Sequence, residues 1–263
     1  MSITSNNQRY MLQSVKNGLR ILKAFTKEQP ELGITEIART AGMHKSTVSR
    51  YVKSLVQEGF LQINPDNGKY RLGLSLLCLS GVITSHLEIR HEAKSALHQL
   101  VDLTGEAAHI SVLEGTNIVY LDKVESKHPV RLLSDIGRIN PAFCTSSGKV
   151  LLAHQPEATV ERIIAAGLPR MGPGTITDPD QFRQNLRDVR AQGYAVCIDE
   201  LHEGAVSIGA PVRDYTGEVI AAVSVVGPTE RMSGEKIPAI VAAVVDAGRE
   251  ISQKLGYMGG DMP

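Results

Sequence analysis

The sequence predicts an α+β protein in two parts, and two observations support that prediction. Three helical segments followed by a β-hairpin occupy the first 72 residues, in the order of a winged helix-turn-helix domain. Farther along, short β segments separated by hairpin-length gaps alternate with helices, which favours an antiparallel sheet packed against helices. A chain of 263 residues has room for two domains. We therefore expect a first domain at 1–72, a linker helix at 73–90 and a second domain at 91–263.

The first two helices are predicted from apolar spacing and capping signals. An amphipathic helix should end near Thr26. Its apolar residues are Leu12, Val15, Leu19, Leu22 and Phe25. Thr35 is the predicted N-cap of a second helix that runs through Ala41, because its hydroxyl can accept a backbone N–H of the first turn. Gly42 supplies the turn that follows.

The third helix and the hairpin complete the winged helix. The helix should run from about Lys45 to Glu58, with Gly59 ending it. Two alternating segments, 60–64 and 69–72, then flank an Asn67-Gly68 turn, which is a strong signal for a β-hairpin. The order of three helices and a hairpin is therefore complete.

The rest of the chain is predicted as helices around short strands. After the linker helix, a second helix should run to Leu103 and be capped by Gly105. The predicted strands are Ala107–Leu113, Ile118–Val124, Val130–Ser134, Ala205–Val212 and Val219–Val226. The predicted helices are Ser147–His154, Glu157–Ala166, Asp180–Gln192 and one from Lys236 to Leu255.

The third helix has one apolar side and one basic, hydroxyl-rich side that contains no acidic residue. A helix with such a face can enter the major groove of DNA and contact both phosphates and base edges. The candidate DNA-binding residues are Lys45, Ser46, Thr47, Ser49 and Arg50 on this helix, with Lys69 and Arg71 on the second strand of the wing. Arg50 is the candidate for guanine, because its planar fork fits the O6/N7 edge.

Charge and composition narrow the class of protein. Residues 1–72 have a net charge of +6 and the remainder a net charge of −6, which suggests a polyanion-binding domain joined to a domain that does not bind polyanions. The longest apolar run, 74–83, is about half of a membrane span, and the N-terminus lacks the pattern of a signal peptide. Three cysteines without CxxC spacing suggest reduced thiols in a cytoplasmic protein.

The chain resembles the IclR family of bacterial transcription regulators. The matching segments are Lys45-Ser46-Thr47-Val48, the run from Thr145 to Ala153, Asp199-Glu200 followed by Gly204, Ala210-Pro211-Val212, and Ser224-Val225-Val226-Gly227-Pro228. The resemblance implies a winged-helix DNA-binding domain, a helical linker and a GAF-like effector domain. It also implies dimers, or dimers of dimers, that repress or activate under the control of a small organic acid.

The effector site is expected at the start of the helix that contains Gly148. Free N–H groups and the helix dipole favour an anion there, so the amides of Ser146 and Ser147 are candidate donors to a carboxylate. The resemblance adds Leu132, Asn140, Cys197, Ser207 and Ser224. Where relatives often have Asp and Ser, this chain has Cys197 and Val226, which suggests a more apolar pocket and a larger or partly aromatic acid.

Other functions are less well supported by the sequence. The cluster Asp199-Glu200-Leu201-His202 offers potential metal ligands, but neighbouring side chains in a strand point to opposite faces, so we expect no metal and no cofactor. An enzyme acting on small acids would pair Cys144 or Cys197 with His109 or His202. A DNA-binding architectural protein whose second domain only oligomerises is a further alternative.

Overall fold

The computed structural model describes residues 12–26, 28–85, 88–128 and 136–259. The chain divides into two compact units, one extending to His86 and the other beginning at Leu87. Each unit has its own hydrophobic core.

The first unit is a winged helix, as predicted. Its helices are α1 (Gln13–Leu22), α2 (Ile34–Ala41), α3 (Lys45–Gln57) and α4 (Leu74–Ser85), and its hairpin strands are β1 (Leu61–Ile63) and β2 (Tyr70–Leu72). The strands are antiparallel, with Leu61 opposite Leu72. An isolated antiparallel bridge between Leu32 and Tyr70 adds a third segment to the wing, which the sequence did not reveal.

Two predicted helix ends in this unit are wrong. Helix α1 ends at Leu22, four residues before Thr26. Helix α2 begins at Ile34 with Gly33 as its N-cap, so Thr35 is not the cap. The physical reason is Glu36, whose carboxylate accepts the Gly33 N–H at 2.7 Å and satisfies a backbone donor at the start of the helix.

The turn between α2 and α3 depends on one glycine. Gly42 has a φ of +64°, in the left-handed region that favours glycine, and its N–H reaches the carbonyl of Arg39. Helix α3 then buries Val48 and Val52 against α1 and α2. This packing leaves the basic side of α3 facing away from the core.

The second unit is built around a six-stranded antiparallel sheet. Its strands are β3 (Ala107–Glu114), β4 (Asn117–Val124), β5 (Ile139–Pro141), β6 (Ala195–Ile198), β7 (Ala205–Arg213) and β8 (Val219–Pro228), in the order β5-β4-β3-β8-β7-β6. Its helices are α5 (Glu88–Thr104), α6 (Ser146–Ala153), α7 (Glu157–Ala166), α8 (Pro179–Gln192) and α9 (Ile237–Lys254).

Helices cover both faces of this sheet. On one face, α5 and α9 pack against alternate residues of β7 and β8, including Ile208 and Val223. On the other face, α6 packs on the same strands and is covered in turn by α8, with Leu151 and Phe182 in the shared core. Helix α6 therefore lies between the sheet and α8, and all eight of its residues are buried.

The sequence located the long elements of this unit and missed the short ones. Four of the five predicted strands are confirmed, and the fifth, Val130–Ser134, lies outside the described residues. Strands β5 and β6 were not predicted, because three or four residues are too few to establish an alternating pattern. Both lie at the edges of the sheet, where each pairs with a single neighbouring strand.

Candidate functional site

The sheet register aligns predicted effector-site residues from three neighbouring strands. Cys197 pairs with Ser207, and Ser207 pairs with Val226, so these residues form one row across β6, β7 and β8. Ser224 lies two residues before Val226, on the same face of β8. The four positions therefore share one face of the sheet.

The start of α6 lies directly against this face. Gly209, opposite Ser224 on β7, has no side chain, and a Cβ added there would lie 3.1 Å from the Ser146 carbonyl carbon and the Ser147 amide nitrogen. The Thr145 hydroxyl caps the helix by accepting the Gly148 N–H at 3.2 Å. No acceptor in the described part of the chain reaches the amides of Ser146 and Ser147, which point out of the first turn.

A cavity of about 60 Å³ lies where the sheet, α6 and the segment after β6 meet. One water molecule needs about 10–15 Å³ of such cavity volume, so a cavity of this size has room for a small ligand. Six of the predicted effector-site residues line it, namely Asn140, Ser146, Ser147, Cys197, Ser207 and Ser224. The seventh, Leu132, lies outside the described residues.

The cavity lining includes five polar residues that were not among the predicted effector-site residues. They are Tyr120, Arg138, Thr145, Glu200 and His202. Tyr120 accepts a hydrogen bond from the Asn140 amide at 3.3 Å. The alternating pattern of β4 could have indicated that Tyr120 faces inward, whereas Glu200 and His202 had been considered only as potential metal ligands.

A buried ion pair joins α6 to the far wall of the cavity. The Lys149 ammonium donates to Glu200 Oε1 at 2.5 Å, and the Lys149 side chain is 1% exposed. Burying two charges is costly unless they are paired, so this contact holds the first turn of α6 against the segment after β6. The sequence did not indicate it, because the partners are 51 residues apart.

The environment of the two cavity cysteines keeps both thiols protonated. Burial, reinforced by the Glu200 carboxylate, raises the pKa of Cys144 to about 12. Burial likewise raises the pKa of Cys197 well above its ordinary value. Since the thiolate is the nucleophilic form, this environment does not suit cysteine catalysis.

His109 lies next to the cavity residue Ser224, on the neighbouring strand. It pairs with Ser224 across β3 and β8, and its ring centroid is 4.8 Å from that of Tyr120. Burial, with a contribution from the Lys123 charge, lowers the pKa of His109 to about 4. The imidazole is therefore neutral at physiological pH.

The segment after β6 does not assemble a metal site. Asp199 has a φ of +57°, and its carboxylate accepts the Gly204 N–H at 2.6 Å. Glu200 instead faces Lys149, and His202 lines the cavity. Within the residues that the structure describes, no three His, Cys, Asp or Glu side chains are placed to hold a metal ion.

The first unit presents its candidate DNA contacts on its surface. Lys45, Ser46 and Arg50 are exposed on α3, and Thr47 and Ser49 are half-buried. His44 caps the helix, since its Nδ1 faces the Ser46 amide at 3.4 Å. In the wing, Arg71 is exposed, whereas Lys69 lies 3.6 Å from Glu36. That pair partly offsets the positive charge of Lys69.

Together, a winged helix with an exposed basic helix and a second unit with a cavity that several polar side chains line define a ligand-responsive DNA-binding protein. Two family models agree with this class. The IclR helix-turn-helix domain matches residues 14–65, and the bacterial transcriptional regulator IclR C-terminal domain matches residues 82–253. The chain belongs to the IclR family of transcriptional regulators.

Characterised relatives match along nearly the whole chain. It is 34% identical over 248 residues to the HTH-type transcriptional regulator XynR of Escherichia coli, covering 94% of this chain and 98% of XynR. It is 35% identical over 247 residues to KdgR of the same organism, covering 94% of each. These relatives are transcriptional regulators, and the chain is a regulator rather than an enzyme.

Solved structures show the same fold. An IclR homologue from Microbacterium hydrocarbonoxydans, complexed with 4-hydroxybenzoate, superposes with a TM-score of 0.82 at 29% identity, covering 92% of this chain and 98% of that one. The IclR protein of Thermotoga maritima gives a TM-score of 0.75 at 30% identity, covering 94% of this chain and all of that one. In the part of this chain that the structure describes, no helix is both long and apolar enough to cross a membrane.

Proposed function

We propose that this regulator is controlled by a small organic acid bound in the cavity beside α6. The observation that supports this most strongly is the convergence of Ser146, Ser147 and Ser224 on one enclosed space with two unengaged helix amides. The amides of Ser146 and Ser147 bind the carboxylate, because a helix N-terminus combines free donors with a favourable dipole. The aromatic acid bound by the Microbacterium homologue belongs to the same chemical class.

The other cavity residues hold the rest of the acid. Ser207 and Ser224 offer hydroxyls from neighbouring strands, and Asn140 offers its amide from the opposite edge of the sheet. Leu132, which lies outside the described residues, completes the proposed set. Cys197 contributes a protonated thiol, which is a weak hydrogen-bond donor.

The DNA site that we propose is the exposed side of α3 together with the wing. Lys45, Ser46, Thr47 and Ser49 contact phosphates and base edges, and Arg50 reads guanine. Lys69 and Arg71 contact the DNA phosphate backbone from the wing. Arg71 contributes more to the affinity for DNA, because Glu36 lies beside Lys69.

We propose that the protein acts in the cytoplasm as a homodimer or a dimer of dimers. In this arrangement two winged helices read two half-sites whose spacing matches the dimer. Residues 1–72 form the DNA-binding domain, 73–90 the linker and 91–263 the effector domain. The acid shifts the equilibrium between arrangements that differ in DNA binding. The size of this shift is set by the difference in the affinity of the acid for those arrangements.

The test of this function compares two buried serines. Ser224→Ala removes a cavity hydroxyl and should raise the acid concentration needed for half-maximal response by about tenfold, consistent with the loss of one hydrogen bond to a charged group. The acid is identified by mass spectrometry of ligand released from the purified protein. The response is measured by gel shift on an operator selected from random duplexes.

The matched control is Ser111→Ala. Ser111 is fully buried on β3, but its hydroxyl donates to the Ala222 carbonyl and does not line the cavity. We expect Ser111→Ala to keep the wild-type dose-response, and both variants to keep acid-free operator binding. An unchanged dose-response for Ser224→Ala would reject the proposed site, and operator binding that ignores every released or added acid would favour the architectural alternative.

A further inference from the structure

Glu200 has one carboxylate oxygen engaged and one without a partner. Oε1 accepts from Lys149, whereas Oε2 is buried and has no hydrogen-bond partner among the described residues. The residue is 6% exposed and lines the effector cavity. A buried carboxylate oxygen without a donor is costly, so the site favours a ligand that supplies one.

The chain itself offers only a weak donor at this position. The Cys197 thiol is the neighbouring group, and a thiol donates weakly. The other cavity hydroxyl and amide donors are distributed around the sheet, with Asn140 already donating to Tyr120. A hydroxyl on the ligand would be a stronger partner for Oε2 than the thiol.

The chemistry of the ligand leads to the same expectation. A ligand whose only polar group is a carboxylate brings acceptors alone, so it leaves Glu200 Oε2 without a donor. A ligand hydroxyl that reaches Oε2 supplies a charge-assisted hydrogen bond to a carboxylate whose charge Lys149 already balances.

We propose that Glu200 is a specificity-determining residue that selects hydroxy acids, by accepting a hydrogen bond from the ligand hydroxyl through Oε2. This inference rests on the proposed binding of a carboxylate at Ser146 and Ser147. Lys149 has a positioning role in it, because its ammonium fixes Oε1 and thereby orients the carboxylate.

The experiment measures the dissociation constants of matched acids by titration calorimetry on the full chain. The pairs are lactate with propionate and 4-hydroxybenzoate with benzoate, which place the hydroxyl at two distances from the carboxylate. In the wild-type protein, the hydroxy acid of at least one pair should bind about tenfold more tightly than its counterpart, because a site built to bind a hydroxyl discriminates against the acid that lacks it.

Both variants remove the carboxylate without leaving a buried charge unpaired. Replacing a buried pair by apolar residues of similar volume is often tolerated, so the double variant Lys149→Met/Glu200→Met should fold. It should lose the hydroxyl preference, so that the hydroxy acid and its counterpart bind with similar affinity. The preference is the ratio of two affinities measured on the same variant, so it reports on Glu200 even if the affinity for both acids changes. The double variant Lys149→Met/Glu200→Gln retains a carbonyl acceptor and should keep part of the preference.

Each outcome has a defined meaning. A preference that disappears with Met and partly survives with Gln supports the role of Glu200. If the wild-type protein binds both acids of each pair equally, or if the Met variant keeps the preference, the role of Glu200 is overturned while the carboxylate site stands. If none of the four acids binds, the carboxylate site fails and the selection of hydroxy acids fails with it.

Discussion

At the scale of single residues, His109 makes the stability of the effector domain depend on pH. Its ring is buried against Tyr120 and neutral in the folded protein, with a pKa of about 4 compared with an ordinary value of 6.5. The unfolded chain therefore binds a proton that the folded chain excludes whenever the pH lies between these values. Stability is complete above pH 6.5 and is lost as the pH falls toward 4.

We predict that the wild-type protein loses about 2 kcal/mol of unfolding free energy through His109 between pH 7 and pH 5. His109→Phe keeps a ring beside Tyr120 but cannot titrate. Its unfolding free energy should therefore fall by about 2 kcal/mol less than that of the wild-type protein over the same pH range. Urea unfolding at the two pH values provides the comparison. His98→Phe, a change at an exposed histidine of α5 that leaves His109 in place, is the control, and equal losses of unfolding free energy in all three proteins would contradict the assignment.

Individual site residues differ in how far the sequence could reveal them. Ser146 and Ser147 could be proposed as site residues from the sequence alone, because a capped helix start followed by Gly148 is a local pattern. Ser207 and Ser224 came from resemblance, and only the strand register shows that they share a face. Glu200 was not predictable, because its significance depends on a lysine 51 residues away and on one unpartnered oxygen.

At the scale of elements, the distance between α6 and the sheet sets the geometry of the proposed anion site. Gly209 permits the close approach, since an added Cβ would lie 3.1 Å from the backbone of Ser146 and Ser147. Such a contact is too short for a methyl group without movement by a few tenths of an ångström. The strand pattern predicted β7, but a sequence gives no measure of how closely a helix crosses it.

Gly209→Ala should therefore weaken acid binding by about fivefold, as the methyl group displaces the two amides, an overpacking cost of about 1 kcal/mol. Operator binding without acid should stay at the wild-type level. Titration calorimetry with the acid that binds the wild-type protein gives the affinity. Gly18→Ala, on α1 where a Cβ meets no atom within 4 Å, is the control, and an identical affinity for Gly209→Ala would show that this approach does not matter.

At the scale of the whole molecule, the separation of charge assigns DNA binding to one end of the chain. The first 72 residues have a net charge of +6 and the rest have a net charge of −6, so the whole protein is neutral. The first domain therefore attracts the phosphates of DNA, and the second repels them. Composition alone was enough to predict this division. The placement of individual cations was not predictable, since the Glu36 partner of Lys69 emerges only in the folded wing.

Arg71 and Arg50 should differ in the salt dependence and sequence dependence of DNA binding. Arg71→Ala should weaken binding to operator and random duplex alike and lower the slope of log affinity against log salt by about 1 for each copy bound. Arg50→Ala should cost about 1–3 kcal/mol on the operator and little on random DNA. Fluorescence titrations at several salt concentrations separate the two effects.

Arg162→Ala removes an exposed arginine of α7 and serves as the control for this comparison. It should leave affinity and salt slope unchanged on both duplexes. Equal losses on operator and random DNA for Arg50→Ala would remove its proposed role in reading guanine.

The Lys149–Glu200 pair also limits how this sequence is able to change over generations. Losing either partner alone leaves an unpaired buried charge, at a cost of about 3–5 kcal/mol out of a total stability of about 5–15 kcal/mol. Losing both together is nearly neutral. A lineage that exchanged this pair for an apolar one would thus pass through an intermediate with little remaining stability, so we expect the two positions to change together.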